Sequence, residues 1–447
     1  MNCENRKSVL LVNPPYGLAQ PEPNGSSLVP PLALGYLAGA LRLDNVDVQL
    51  ADMSLSTDSL SQKLGEKEYD VVGVTGMSPQ LPSMIKIAGD VKRACPDSLV
   101  VVGGGHVTAT VPSISSLSSN VDAVVVGDGE IPLRMVVSRV PCSAQDLADV
   151  PNVWRLVGSA AVPPISILPC SKKLHPISPA FDLFSFPEYQ LSQSWGNVTP
   201  YIASLITSRG CPFKCSYCSN SSVGSNIRYV PLATVEREIH TLAVQHGVRT
   251  IIFWDDTFTF SRKRTLAICE MLKKYDVDWL CNTRADCVDP NLLECMADSN
   301  CRSILFGVET FAEEILTSLD RMVPIGSVRA AITAAKSFGI RTIASMMIGC
   351  PGQTLELLRS DFELLGGIGP DAVRISVFNI LPGTRIYELA VSRKWLPQNV
   401  PWGDTSLFPG HPLGLPTVNE FLTRTQLQQN KQILEQQLAK QPVSGRF

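Results

Sequence analysis

The stretch Ala203-Ser204-Leu205-Ile206-Thr207-Ser208-Arg209-Gly210-Cys211-Pro212-Phe213-Lys214-Cys215-Ser216-Tyr217-Cys218 begins as an apolar strand and ends as a loop with three cysteines. Its first five residues have the length and composition of a strand buried on both faces. The same figure, an apolar strand, a polar or glycine-rich end and an amphipathic helix, recurs to about Leu389. Further strands are expected at Thr250–Trp254, Trp279–Thr283, Ser303–Gly307, Thr342–Ile348 and Ala372–Phe378. The helices between and after them are expected at Leu232–His246, Lys263–Tyr275, Pro290–Ser299, Phe311–Leu319, Ser327–Phe338 and Thr354–Leu365. Six successive βα units predict a TIM-like barrel over residues 200–390, complete or partial, with its site at the carboxyl ends of the strands.

A second α/β pattern occupies residues 1–140. Strands read at Ser8–Val12, Asp47–Ala51, Val71–Thr75, Leu99–Val102 and Ala123–Val126, with helices at Leu32–Leu41, Leu55–Leu64 and Met84–Ala94. Runs of Val and Leu separated by helices predict a parallel sheet covered on both faces, a Rossmann-like domain. Glycines follow its strands, in Thr75-Gly76-Met77-Ser78, Gly103-Gly104-Gly105-His106 and Gly127-Asp128-Gly129-Glu130, where a ligand would approach the backbone. Residues 141–199 hold Pro151, Pro163, Pro164, Pro169, Pro176, Pro179 and Pro187, and read as an extended linker with a small hairpin at Trp154–Val157. Residues 391–447 form a tail with one Gln-rich helix expected at Val418–Ala439.

Composition narrows the partners. With 45% apolar and 18% charged residues the 447-residue chain is globular. A net charge of -3, from 38 basic and 41 acidic residues, gives no reason to expect nucleic acid or an anionic membrane. No run approaches the roughly 18 apolar residues of a spanning helix, and the first strand is too short for a signal sequence. A cytoplasmic location is expected. There, 13 cysteines are thiols or metal ligands rather than disulfides, and most of them, such as Cys95, Cys269 and Cys295, sit singly in apolar patterns that suit small core residues.

Cys211, Cys215 and Cys218 alone are clustered, at C-x3-C-x2-C spacing. Three thiolates on one loop can converge on one metal centre. A zinc site would need a fourth Cys or His at finger-like spacing, and the next candidates are His240 and His246 on a helix. Ferredoxin spacings with four cysteines are also incomplete. Three ligands on a four-iron cluster would leave one iron open. A zinc site completed from afar and three core cysteines remain the alternatives.

The loop resembles the C-x3-C-x-Φ-C signature of the radical S-adenosylmethionine (SAM) superfamily, with Tyr217 at the aromatic position. The resemblance covers residues 200–390 and implies a [4Fe–4S] cluster on the three cysteines. Its open iron would chelate SAM, and one electron would release a 5′-deoxyadenosyl radical. It further implies SAM contacts at Tyr217, at Asp255 and Asp256 of the second strand end, Arg284 of the third, Glu309 of the fourth and Ser345 of the fifth. Charged residues there could equally cap the next helix, but their recurrence at successive strand ends favours function. The chain departs from many relatives in having Cys350 where they carry a large apolar residue and Gln353 where they carry Glu. Cys350 is a catalytic candidate, as a thiol able to donate hydrogen to a substrate radical.

A Rossmann-like domain ahead of such a barrel resembles the cobalamin-binding subgroup, over residues 8–140. Asn13-Pro14-Pro15 and the three glycine loops carry the likeness, which implies cobalamin contacts at Gly76, Ser78, Gly104, His106, Gly127, Gly129 and Glu130. None of His106, His175, His240, His246 and His411 lies in the Asp-x-His-x-x-Gly motif that supplies a cobalt ligand elsewhere, so His106 is expected as a loop or tail contact. The resemblance implies methylation of a small molecule at an unactivated carbon, served by an external one-electron reductant of flavodoxin or ferredoxin type. The alternatives are a radical dehydratase, epimerase or cyclase that transfers no methyl group, and a non-catalytic cluster or corrin carrier. A methylthiotransferase would carry three more clustered cysteines, whereas Cys3, Cys95 and Cys142 are dispersed.

Overall fold

The computed structural model describes residues 6–15, 27–55, 58–111, 119–158, 160–168, 174, 176–220, 226–396, 419–422, 426–427 and 429–434. The chain divides into two units: Met1–Pro23, Pro31–Glu188 and Val391–Leu415 form one, and Asn24–Pro30, Tyr189–Ala390 and Pro416–Phe447 the other.

In the first unit β1 (Ser8–Asn13), β2 (Asp47–Asp52), β3 (Val71–Thr75), β4 (Leu99–Gly103) and β5 (Ala123–Val125) pair in parallel in the order β2-β1-β3-β4-β5. The order reverses between β1 and β3, which opens a crevice for ligands at the carboxyl ends. Val9 to Val12, Val71, Val72 and Val100 to Val102 are buried because helices α1 (Leu32–Arg42), α2 (Leu60–Glu66), α3 (Leu81–Ala94), α4 (Gly105–Thr110) and α5 (Glu130–Arg139) connect these strands. The helix expected from Leu55 begins at Leu60, since Ser59 accepts from Gln62 N at 3.4 Å and caps the first turn there. The proline-rich stretch is not uniformly extended: β6 (Val153–Val157) and β7 (Ala160–Val162) form an antiparallel hairpin that adds to β5.

The second unit holds β8 (Ile202–Leu205), a two-residue antiparallel pair β9 (Ser208–Arg209) and β10 (Arg228–Tyr229), then β11 (Thr250–Phe253), β12 (Asp278–Thr283), β13 (Cys301–Glu309), β14 (Arg341–Ile348) and β15 (Ala372–Val377). The six long strands pair in parallel, in chain order, with β8 and β15 at the edges. Of the two expected barrels, this is the partial one. The helices after β10 are α6 (Leu232–His240), continued as a π turn over Thr241–Gln245, α7 (Arg262–Leu272), α8 (Pro290–Asp298), α9 (Glu313–Ser318), α10 (Ile325–Ser337), α11 (Leu355–Ile368) and α12 (Arg385–Ser392). Their starts follow local chemistry: Asp289 accepts from Leu292 N ahead of Pro290, and Thr354 accepts from Leu357 N.

Trp195, 1% exposed, packs with Ile202, Ile252, Leu280 and Ile343 from four strands, and its ring lies 4.6 Å from the Arg374 guanidinium carbon. Of the tail helix expected at Val418–Ala439, residues 426–427 and 429–434 are helical, residues 419–422 are not, because Asn419 Oδ1 takes the N–H groups of Phe421 and Leu422 in a turn, and the rest lies outside the described residues. Leu422 and Leu427 pack with Ile348, Leu358 and Ile375. Among the described residues no helix is long and apolar enough to cross a membrane.

Trp195→Ala removes the shared packing partner of four strands. Urea unfolding should show the second unit less stable by about 3–5 kcal/mol.

Candidate active site

The cysteine loop is fastened at its start by a buried acid. Asp255, 1% exposed at the end of β11, accepts from Thr207 N at 2.8 Å, Thr207 Oγ1 at 2.7 Å and Ser208 Oγ at 2.5 Å. Both carboxylate oxygens are committed to the turn that leads into Cys211. Burial raises its pKa, and those three donors pull it part of the way back. The neighbouring Asp256 is exposed and accepts from the Asn220 side chain and the Gly210 N–H. Of the two, Asp256 is the one that faces outward beside the loop.

Within the loop the three thiols keep different company. Cys211 Sγ lies 3.6 Å from Thr257 Oγ1. Cys215 is buried and lies 3.8 Å from Arg321 Nη1. The Cys218 thiol is pushed up to about 11, by burial first and then by the charges of Cys215, Asp256 and Cys211. The thiols are therefore near enough to oppose one another's ionisation. Among the described residues, however, no three His, Cys, Asp or Glu side chains gather round a single ion.

Arg284 follows the last residue of β12 and is buried. It bonds Asp286 through Nε and Nη2 at 2.9 and 2.7 Å, donates to Met322 O at 2.9 Å, and stacks 3.6 Å above the Phe213 ring of the loop. It braces the loop by cation–π contact. Tyr217 is largely buried, with its ring centroid 6.0 Å from that of Phe378. Ser345 lies in register with Gly307 on one side and Arg374 on the other.

Glu309 ends β13 with φ +72°, at a register shift between Gly307 and Glu309. A glutamate in the left-handed region is strained, and such strain gathers at functional sites. Its Oε1 lies 3.7 Å from Arg321 Nη2. Burial pushes Glu309 up, and Arg321 offsets part of that rise.

Cys350 is fully buried, and its carbonyl accepts from Asn419 Nδ2 at 2.7 Å. The structure thus places this thiol inside the packing rather than at the mouth. Gln353, also buried, accepts from Gly349 N at 2.7 Å and donates to Asp361 Oδ2 at 3.3 Å. Asp361 in turn accepts from Thr310 Oγ1 at 2.6 Å and Phe311 N at 2.8 Å. A glutamate at 353 would set two carboxylates together, so the departure at this position has a local cause.

In the first unit the glycine loops come together. Gly104 has φ +108°, and a Cβ there would strike Gly76 O and lie 2.9 Å from Gly76 N. This close approach of the β3 and β4 ends leaves a backbone cradle. His106 Nδ1 lies 2.9 Å from Ser78 Oγ, so the structure brings these two candidates into contact. Burial lowers the His106 pKa to about 4 and keeps the ring neutral. Gln80 donates to Pro14 O at 2.6 Å and accepts from Met77 N at 2.9 Å, holding the Met77 side chain 50% exposed at the β3 end. Gly127 N donates to Thr108 Oγ1 at 3.1 Å, and Gly129 and Glu130 open α5. The glycine cradle fits a flat group gripped by backbone.

Arg321, Thr207, Thr257 and Gln80 escaped sequence reasoning. Thr207 and Thr257 lie at strand ends and could have been found there. Arg321 follows a helix, between Asp320 and Met322, where a basic residue reads as an ordinary helix-end charge.

Residues 205–365 match the radical SAM superfamily, and residues 25–137 match the B12 binding domain. An uncharacterized methyltransferase of Pyrococcus horikoshii is 27% identical over 394 residues, 87% of this chain and 84% of that protein. The anaerobic magnesium-protoporphyrin IX monomethyl ester cyclase of Rubrivivax gelatinosus is 27% identical over 85% of this chain and 69% of its own length. The structure of the radical SAM methyltransferase TsrM from Kitasatospora setae, with cobalamin and a [4Fe–4S] cluster bound, shares the fold with a TM-score of 0.69. It is 19% identical, covering 87% of this chain and 75% of that one.

Asp255→Ala leaves three buried donors without their acceptor. It should cost about 3 kcal/mol or more in urea unfolding and lower the iron taken up on anaerobic reconstitution. His106 carries a pH signature. Because its folded pKa lies below the roughly 6.5 of a free histidine, the unfolded chain alone takes up a proton between those values. Stability of the first unit should fall by about 2–3 kcal/mol as pH drops from neutral to about 4.5, and His106→Gln should flatten that part of the profile.

Proposed function

We propose, for a chain that joins a B12 binding domain to a radical SAM domain, a cobalamin-dependent radical enzyme that methylates an unactivated carbon of a small molecule. The observation that carries the reading is the loop of Cys211, Cys215 and Cys218, anchored by Asp255 at the carboxyl ends of a parallel half-barrel. The glycine cradle of Gly76 and Gly104 in the first unit supports a second cofactor. The likeness to two proteins named as methyltransferases favours methyl transfer.

The three cysteines would hold a [4Fe–4S] cluster and the cradle a cobalamin; when bound, the cluster with SAM supplies a 5′-deoxyadenosyl radical and cobalamin a carrier for the methyl group. The protein's part is to bind, orient and exclude water. Asp255 and Arg284 hold the loop in shape. Asp256, exposed beside Cys218, would accept hydrogen bonds from the ammonium of SAM. Glu309, Tyr217 and Ser345 would line the remaining approach. Ser78, His106 and the glycine loops at Gly127 and Gly129, with Glu130, would grip cobalamin through backbone and neutral side chains. A neutral His106 offers Ser78 either an N–H or a lone pair without adding charge.

An external one-electron reductant, a flavodoxin or ferredoxin, belongs to this reading, as does a cytoplasmic location. The similarity to a cyclase favours a second reading, in which radical chemistry proceeds without methyl transfer.

Anaerobic reconstitution with iron and sulfide, followed by SAM and dithionite with and without hydroxocobalamin, decides between them. The expected result is 5′-deoxyadenosine from the loaded chain, retained cobalamin, and S-adenosylhomocysteine only when cobalamin is present. Cys215→Ala should abolish 5′-deoxyadenosine. Failure to retain any corrin sinks methyl transfer, and 5′-deoxyadenosine formation would then leave the second reading standing.

A further inference from the structure

Arg321 is 7% exposed, and its guanidinium sits behind the cysteine loop. Nη1 lies 3.8 Å from Cys215 Sγ, and Nη2 donates to Gly307 O and lies 3.7 Å from Glu309 Oε1. The surroundings are shaped to admit it. A Cβ on Gly307 would lie 2.6 Å from Nη2, so a side chain there would expel the guanidinium. The strained Glu309 backbone turns its carboxylate to the same spot. Ser216 N donates to Leu319 O at 2.9 Å, which ties the cysteine loop to the segment bearing Arg321. Arg321 Nε is buried with no hydrogen-bond partner, although a buried guanidinium is costly unless its donors are used. Cys211, by contrast, has the neutral Thr257 hydroxyl beside it.

A cluster becomes more negative when it takes up an electron. Hydrogen bonds and positive charge at a ligating sulfur favour that reduced form, and a nearby carboxylate opposes it. The geometry points to Arg321 as a positioning residue that acts through the Cys215 thiolate to raise the cluster's electron affinity, with Glu309 as its counterweight. The inference rests on the reading that the three cysteines hold a [4Fe–4S] cluster. The step is a one-electron reduction by the external donor, and no bond to Arg321 forms or breaks.

Full-length chains carrying Arg321→Met, Arg321→Lys or Glu309→Gln, reconstituted without SAM, test it by redox titration followed by electron paramagnetic resonance. Arg321→Met should shift the midpoint potential downward, Arg321→Lys should restore part of that shift, and Glu309→Gln should shift it upward. A general loosening of the loop would not produce opposite signs. Equal midpoints for Arg321→Met and the parent, or shifts of one sign in Arg321→Met and Glu309→Gln, overturn the inference. If Arg321→Met takes up no cluster, Glu309→Gln decides: an upward shift supports the inference and any other result overturns it. If the parent itself forms no reducible cluster, the reading of the cysteines falls and this inference with it, a failure recognisable because it appears before any substitution.

Discussion

A buried carboxylate with no solvent must be fully hydrogen-bonded or it destabilises the fold around it. Asp255 meets that demand with donors from Thr207 and Ser208, the residues that lead into the cysteine loop. The dependence is mutual. The turn has its shape because the acid is there, and the acid is tolerated because the turn supplies its donors. Arg284 stacked on Phe213 and Ser216 bonded to Leu319 then fix the far side of the loop. Each of these contacts comes from a different strand end or its following helix, so the loop's conformation summarises the register of the whole half-barrel.

Both units put their chemistry at the carboxyl ends of parallel strands, but they prepare it differently. The first removes side chains: Gly76 and Gly104 bring two backbones together, and the nearby titratable group, His106, is held neutral by burial. The second unit crowds charge together instead. Asp255, Glu309 and Arg284 stand at or just past strand ends, and Arg321 reaches Glu309 from beyond the following helix; hydroxyls, backbone and opposite charges surround them. A flat neutral-faced group suits the first arrangement, and a reducible cluster with a zwitterionic partner suits the second.

Much of this was legible in the sequence, for definable reasons. The strands announce themselves because burial on both faces demands continuous Val, Ile and Leu, and the cysteine loop because its spacing has little use in a core. Direction was not legible. Asp255 and Arg284 lie at strand ends as a binding residue would, yet their side chains hold the loop, and Cys350 lies beside the site but inside the packing. Arg321 was hidden for a different reason: it follows a helix, and only the folded chain brings it against Cys215. The small hairpin expected at Trp154–Val157 is there, but proline-rich composition gave no sign that Val153–Val157 would pair with β5 and extend the sheet.

Gln353 carries a consequence of its own. It receives one hydrogen bond from Gly349 and gives another to Asp361, a carboxylate that already serves Thr310 and Phe311. A carboxylic acid could fill both roles only while it kept a proton. The amide keeps its hydrogens at every physiological acidity, as a proton fixed by covalent chemistry rather than by equilibrium. The link from Gly349 through Gln353 to Asp361 therefore needs no shared proton, as a pair of acids there would.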